Sequence, residues 1–232
     1  MLYRLGLVMI IAGTATSLAA QSGREEKETT LQEIYDASGN RIQFSGTKLV
    51  GGSPYYNEDW LTGNVYFMSG KKMENASLRY NLNTQQVECK LQDLEFPLIN
   101  PIREFTLRNT DKGVIITDLF RTGYPPNIDE PKAKYYKVLW EKPGVGQLLE
   151  YQYAIIENAN ASDPGSDKVY RIKSKLYAWP DASKRWVPLR KGQDIMDAFP
   201  EKADKIKAAE PDLSDKPLLK DAVLQLLNTV FL

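Results

Sequence analysis

Between residues 31 and 189 apolar side chains recur at every second position in short runs, each ended by Gly, Pro, Asn or Asp. A period of two places alternate side chains on opposite faces of a strand, so each run reads as a strand with one buried face. Val87, Cys89 and Leu91 alternate with Glu88 and Lys90. The first three are expected on the buried face, which makes Cys89 a packing residue. Leu78, Tyr80 and Leu82 repeat the pattern one strand earlier, with residues 83–86 as the hairpin loop between them. Residues 64–68 followed by Ser69-Gly70-Lys71 give another hairpin, since glycine tolerates the positive φ of tight turns. Further strands are expected over residues 105–108, 114–120, 135–140, 147–156 and 169–179, with Lys142-Pro143-Gly144 turning one pair. Roughly ten such runs in succession predict an antiparallel meander, sandwich or open barrel. Two longer connections, 122–131 with three prolines and 158–167 with small polar residues, interrupt it.

After residue 189 the period lengthens to that of a helix. Leu218, Leu219, Ala222, Val223, Leu226, Leu227 and Val230 fall on one stripe, with Ser214 as the expected N-cap and Pro217 in the tolerated first turn. Shorter helices are expected near 193–198 and 200–209, separated at Phe199-Pro200. The fold class is therefore α+β: a curved antiparallel β-sheet over residues 31–189, followed by a C-terminal helical segment, 190–232, packed on it. A stripe as apolar as 218–230 must be buried on the sheet or on another molecule, and left uncovered it would mark a subunit of a larger assembly.

The first residues follow a different logic. Arg4, the apolar run 5–12 and the small residues around Ser17-Leu18-Ala19 have the layout of a secretory signal peptide over residues 1–20. The run is too short to span a bilayer. No cysteine follows it, so no lipid attachment is expected, and the charged residues 21–30 are expected to form a disordered leader. This places the product outside the cytoplasm, periplasmic or extracellular, with no transmembrane segment in the mature chain.

Composition narrows the chemistry. The 232 residues contain 30 Lys+Arg, 30 Asp+Glu, a single Cys and no His. Without histidine there is no Ser/His/Asp or Cys/His arrangement and no imidazole ligand for zinc. One cysteine excludes an internal disulfide. A balanced charge argues against gripping nucleic acid, which needs a surplus of cations. No dinucleotide, Walker or calcium-loop pattern is present, and no cofactor or metal is expected.

Gly52-Ser53-Pro54-Tyr55 with Trp60 following, Arg79-Tyr80-Asn81, and the helical signature Lys191-Gly192-Gln193-Asp194-Ile195 through Phe199-Pro200 stand out as motif-like segments. Together they resemble a group of exported, functionally uncharacterised proteins of Bacteroidetes. The resemblance implies a Gram-negative envelope or secreted location and brings no catalytic residues with it.

Three groups of residues are weighed for function. The Ser-x-x-Lys spacings Ser45 to Lys48 and Ser69 to Lys72 match a motif short enough to arise by chance, and the second lies on a hairpin turn where the motif requires a helix start. The cluster Tyr55, Tyr56, Glu58, Asp59 and Trp60 combines rings that could stack on a sugar with two carboxylates. Its plainer reading has Trp60 starting a strand and filling the core while Glu58 and Asp59 stay solvated. Residues 168–191 carry eight cationic side chains against Asp181 alone. Arg171, Lys173 and Lys175 alternate along one strand and share a face that Tyr177 and Trp179 extend, with Lys184, Arg185 and Trp186 close behind. Such a face could take an anionic glycan, a lipid headgroup or a protein partner, or could simply keep a sheet edge soluble. The expected function is non-catalytic binding or a structural role in the cell envelope. The alternative is a carboxylate-dependent hydrolase acting on glycan, which needs two carboxyls facing each other across a cleft.

Overall fold

The computed structural model describes residues 49–231 apart from 112, 131–132, 164 and 211–217. The expected signal peptide and leader, Ser45, Lys48, and the capping roles of Ser214 and Pro217 lie outside the described residues. Eleven strands follow in chain order: β1 (Leu49–Gly51), β2 (Leu61–Phe67), β3 (Lys72–Asn81), β4 (Gln86–Leu91), β5 (Leu94–Pro97), β6 (Ile102–Asp111), β7 (Val114–Arg121), β8 (Tyr136–Lys142), β9 (Gly146–Asn158), β10 (Lys168–Pro180) and β11 (Val187–Leu189). Helices α1 (Gly192–Ala198), α2 (Ala203–Ala209) and α3 (Lys220–Val230) complete the chain, with a 3-10 turn at Pro200–Lys202 leading into α2. The α+β class and the order of strands then helices are as the hydrophobic periods predict.

All strands join one sheet in the order β1-β10-β9-β8-β7-β6-β2-β3-β4-β5, and β11 pairs with β10. Among the described residues every strand pairing is antiparallel except one. β1 runs parallel to β10, with Leu49 opposite Lys168, a departure from the all-antiparallel sheet expected. Three residues carry too little alternation to announce a strand, and their partner lies far along the chain, so nothing local fixes their direction.

Among the described residues three apolar clusters lie on the sheet, two of them large. Val65, Leu78, Tyr80, Leu82, Val87, Cys89, Phe105, Leu107 and Phe120 form one, and Tyr80, Phe105, Phe120 and Tyr135 pack ring against ring within it. Leu91 is 63% exposed instead of buried with Val87 and Cys89, because β4 ends there and turns directly into β5, the outermost strand. The other core sets Leu148, Ala178 and Leu189 against Ile195, Phe199, Ile206, Val223, Leu226, Leu227 and Val230 of the helices. Lys142 donates to the carbonyl of Phe231, which ties the end of α3 to β8. The terminal stripe is thus covered by its own sheet. Leu219 and Ala222 are exceptions and stand exposed, since Leu219 is the extended N-cap (φ −95°, ψ 136°) and the helix begins only at Lys220.

The β3–β4 hairpin loop also grips the free flank of β9 beyond β8. Ala154 N–H donates to Leu82 O at 3.2 Å, and Gln85 Nε2 donates to Gln152 O at 3.1 Å. These bonds bring the polar residues of β9 between the two cores.

Candidate functional site

β10 holds Arg171, Lys173, Lys175, Tyr177 and Trp179 on one face, as its period requires. The charges do not stand free. Glu157, facing Val169 on β9, pairs with Arg171 at 3.2 Å and Lys173 at 3.0 Å, and Glu130 takes Lys175. Tyr177 is 1% exposed and lies in a third apolar cluster with Tyr136, Leu149 and Tyr151, so it cannot extend the basic surface. The loop after β7 roofs this cluster. Trp186 Nε1 donates to Pro125 O at 3.0 Å, and Tyr124 packs on Trp179 and Trp186 at ring separations of 5.6 and 5.4 Å. Trp179 and Trp186 are half-buried, while Lys184 and Arg185 are exposed on the turn between β10 and β11. Three of the eight cations of residues 168–191 are thus engaged by two acids from outside that stretch, Glu157 and Glu130.

The Tyr55 to Trp60 segment divides between two environments. Glu58 and Asp59 are exposed. Trp60 precedes β2 and stays outside the core, where the guanidinium carbon of Arg79 lies 4.3 Å from its ring centre and 3.9 Å from that of Tyr55. Arg79 also binds Glu88 through Nε and Nη2 at 3.2 and 2.9 Å. The two rings are occupied by an internal cation. Tyr56 turns inward, donating to Asp118 Oδ2 at 2.6 Å, and Lys137 contacts Asp118 at 2.7 Å and the Tyr56 oxygen at 2.8 Å. Burial and the Asp118 carboxylate hold the Tyr56 phenol far above its ordinary value, so it acts as a proton-bearing donor.

Neither group forms the most incomplete part of the fold, which the sequence reading passed over. β1 covers the outer edge of β10 at Lys168 and Val169, and β11 covers it from Leu176 to Ala178. Between them Arg171 to Lys175 are all exposed, and no described strand pairs there. The carbonyl of Tyr170 points at Gly52, against which an added Cβ would stand only 2.2 Å from that oxygen. By the alternation of an antiparallel strand, the N–H and C=O groups of Ile172 and Ser174 point the same way, outward. Pro188 fits this assignment: it has no N–H, and it stands opposite Tyr177, whose polar groups face β9.

At the β11 end of this gap lies a cavity of about 430 Å³ bordered by Ser174, Leu176, Leu189, Arg190, Leu218 and Lys220, with Glu150 in its wall. Glu150 is 4% exposed, on the β9 face shared with Leu148. Its one visible mark in the sequence is a charge inside the apolar run Leu148-Leu149-Glu150-Tyr151.

Matched against protein-family models, curated proteins and solved structures, the chain is similar to none of them. No helix among the described residues is long and apolar enough to cross a membrane.

Proposed function

We propose that the chain is an exported, non-catalytic binding protein of the bacterial cell envelope that takes a polypeptide partner as an additional strand on the outer edge of β10. The single observation behind this reading is the interrupted edge. Two short strands, β1 from far back in the chain and β11 from just after β10, cover the two ends of this one edge and leave the outward backbone groups of Ile172 and Ser174 unpaired among the described residues. Unpaired strand edges recruit extended chains through main-chain hydrogen bonds, and side-chain pockets then select among them. Ile172, 49% exposed on this stretch, adds an apolar contact of the kind such recognition uses. Of the partners that the basic strand suggests, a protein fits better than an anionic glycan or lipid headgroup, because Glu157 and Glu130 already engage its three cations. The export layout of residues 1–20 supports the envelope location.

The test is capture from an array of extended hexapeptides by the wild-type protein and by Ser174→Pro. Proline removes an outward N–H and leaves the β9 ladder intact. Capture by the wild type, weakened at least about tenfold in Ser174→Pro, with slowed hydrogen exchange at Ile172 and Ser174, is the expected result. Equal capture by both proteins, or none by the wild type, overturns the reading.

A further inference from the structure

Tyr170, Ile172, Ser174 and Leu176 alternate along β10 and therefore share one face. Tyr170 packs on the Val65 core and Leu176 on the core of the helices, so this is the face that carries both large cores. Along it the open stretch of edge has a cavity at each end. Ser174 borders the 430 Å³ cavity beside β11. Ile172 borders a second one, of about 400 Å³, with Tyr55, Tyr56 and Tyr170, and with Asn57 and the exposed Glu58. Directly opposite residues on neighbouring strands put their side chains on the same face. An added strand thus sends the side chain opposite Ile172 towards the tyrosine cavity and the one opposite Ser174 towards the cavity beside β11. The residue between them turns to the face of Arg171, Lys173 and Lys175.

Each of the three positions meets different chemistry. The tyrosine cavity suits a neutral ring, because Arg79 already lies over Tyr55 and Lys137 over Tyr56, and a further cation would meet like charge. The cavity beside β11 favours neither sign. Among the described residues its cations Lys175, Arg190 and Lys220 stand against Asp129, Glu150 and the Glu130 that binds Lys175, and Lys220 lies 3.8 Å from Glu150 Oε2. What it offers a side chain is the aliphatic surface of Leu176, Leu189 and Leu218. The middle position faces a surplus. The single carboxylate of Glu157 serves both Arg171 and Lys173, which leaves one positive charge over at that end of the face, whereas Lys175 has both Glu130 and Asp129 near it. An acidic side chain opposite Lys173 makes up the difference.

We propose that β10 selects its added strand by a three-residue pattern: an aromatic side chain opposite Ile172, an acidic one opposite Lys173 and an aliphatic one opposite Ser174. This deepens the strand-addition reading and rests on it. The open stretch, Arg171 to Lys175, is about 17 Å long at 3.3 Å per residue, so the in-plane part of the partner is about five residues. A second copy of the chain does not fit the gap. Pairing gap to gap would drive the β1 and β11 of each copy into the β10 of the other.

The probes are the acetylated, amidated pentapeptides Thr-Phe-Glu-Leu-Thr and Thr-Leu-Glu-Phe-Thr, which present the pattern in either chain direction, titrated calorimetrically into the full chain. One of the two orders is expected to bind. Alanine in place of its Phe or its Leu, and Lys in place of its Glu, should each weaken binding at least about tenfold. In Lys173→Glu the charge preference should reverse, with the Lys-centred peptide held at least about tenfold more tightly than the Glu-centred one. Equal binding of the parent and substituted peptides, all lost in Ser174→Pro, overturns the pattern and leaves strand addition standing. No binding of either pentapeptide overturns the pattern, whatever the hexapeptide array captures. A concentration-dependent dimer that Ser174→Pro disperses assigns the edge to a second copy and overturns it as well.

Discussion

The guanidinium of Arg79 is held between the rings of Tyr55 and Trp60 while Glu88 neutralises it, both charged side chains being mostly buried. A flat, weakly hydrated cation can stack on two faces and still present a fork of donors at its edge, which an ammonium cannot do. Arg79→Lys is therefore expected to lower stability by about 1–2 kcal/mol despite keeping the charge, and urea unfolding measures it. Sequence could place Arg79 on a strand and rings near it in number, but not the meeting itself. The backbone of Tyr55 meets β3 at the isolated bridge to Asn81, a contact with no periodic signature. Tyr177 failed for the opposite reason. Its parity with Lys175 is correct, yet burial was decided by Tyr124 and Trp186 from two other segments. Alternation fixes which face a side chain takes; whether that face is wet depends on chain elsewhere.

Among elements, long ones were legible and short ones were not. β9 and β10, each 13 residues, carry enough repeats to be read from either end. β1 and β11 have three residues each, and β11 contains a proline that argues against a strand, so the two segments that frame the β10 gap were both missed. The candidate edge was thus hidden although the strand that owns it was plain. α3 shows how a correct period can still misplace a boundary. Its buried positions Val223, Leu226, Leu227 and Val230 match the predicted stripe, but Leu219, 72% exposed, belongs to the approach to the helix. Leu227→Ala is expected to cost about 2–5 kcal/mol, the range for a leucine deleted from a packed core, whereas Leu219→Ala should change the unfolding midpoint little. Equal effects would mean that the helix starts a turn earlier.

At the scale of the whole molecule the unusual resource is tyrosine, with 13 in the chain. Burial pushes the phenols of Tyr135, Tyr136 and Tyr151 up to about 12 from an ordinary 10.0. Below pH 10 these phenols are protonated folded or unfolded, and the pH dependence they contribute is nil. As pH rises from 10 towards about 12 the unfolded chain ionises and the folded one does not, so the balance moves towards unfolding. The protein should lose stability steeply across that interval, with tyrosinate absorbance appearing together with loss of circular dichroism. Absorbance that grows in while the fold persists would place these rings in water.

The lone parallel pairing has a temporal side. Leu49 meets Lys168, a partner that leaves the ribosome more than a hundred residues later. Until nearly the whole sheet has been synthesised, the opening segment has no neighbour to bond and no entropy of loop closure has yet been repaid. The earliest described strand to be made is consequently among the last to lock, and its seat on β10 stays vacant through most of the protein's birth.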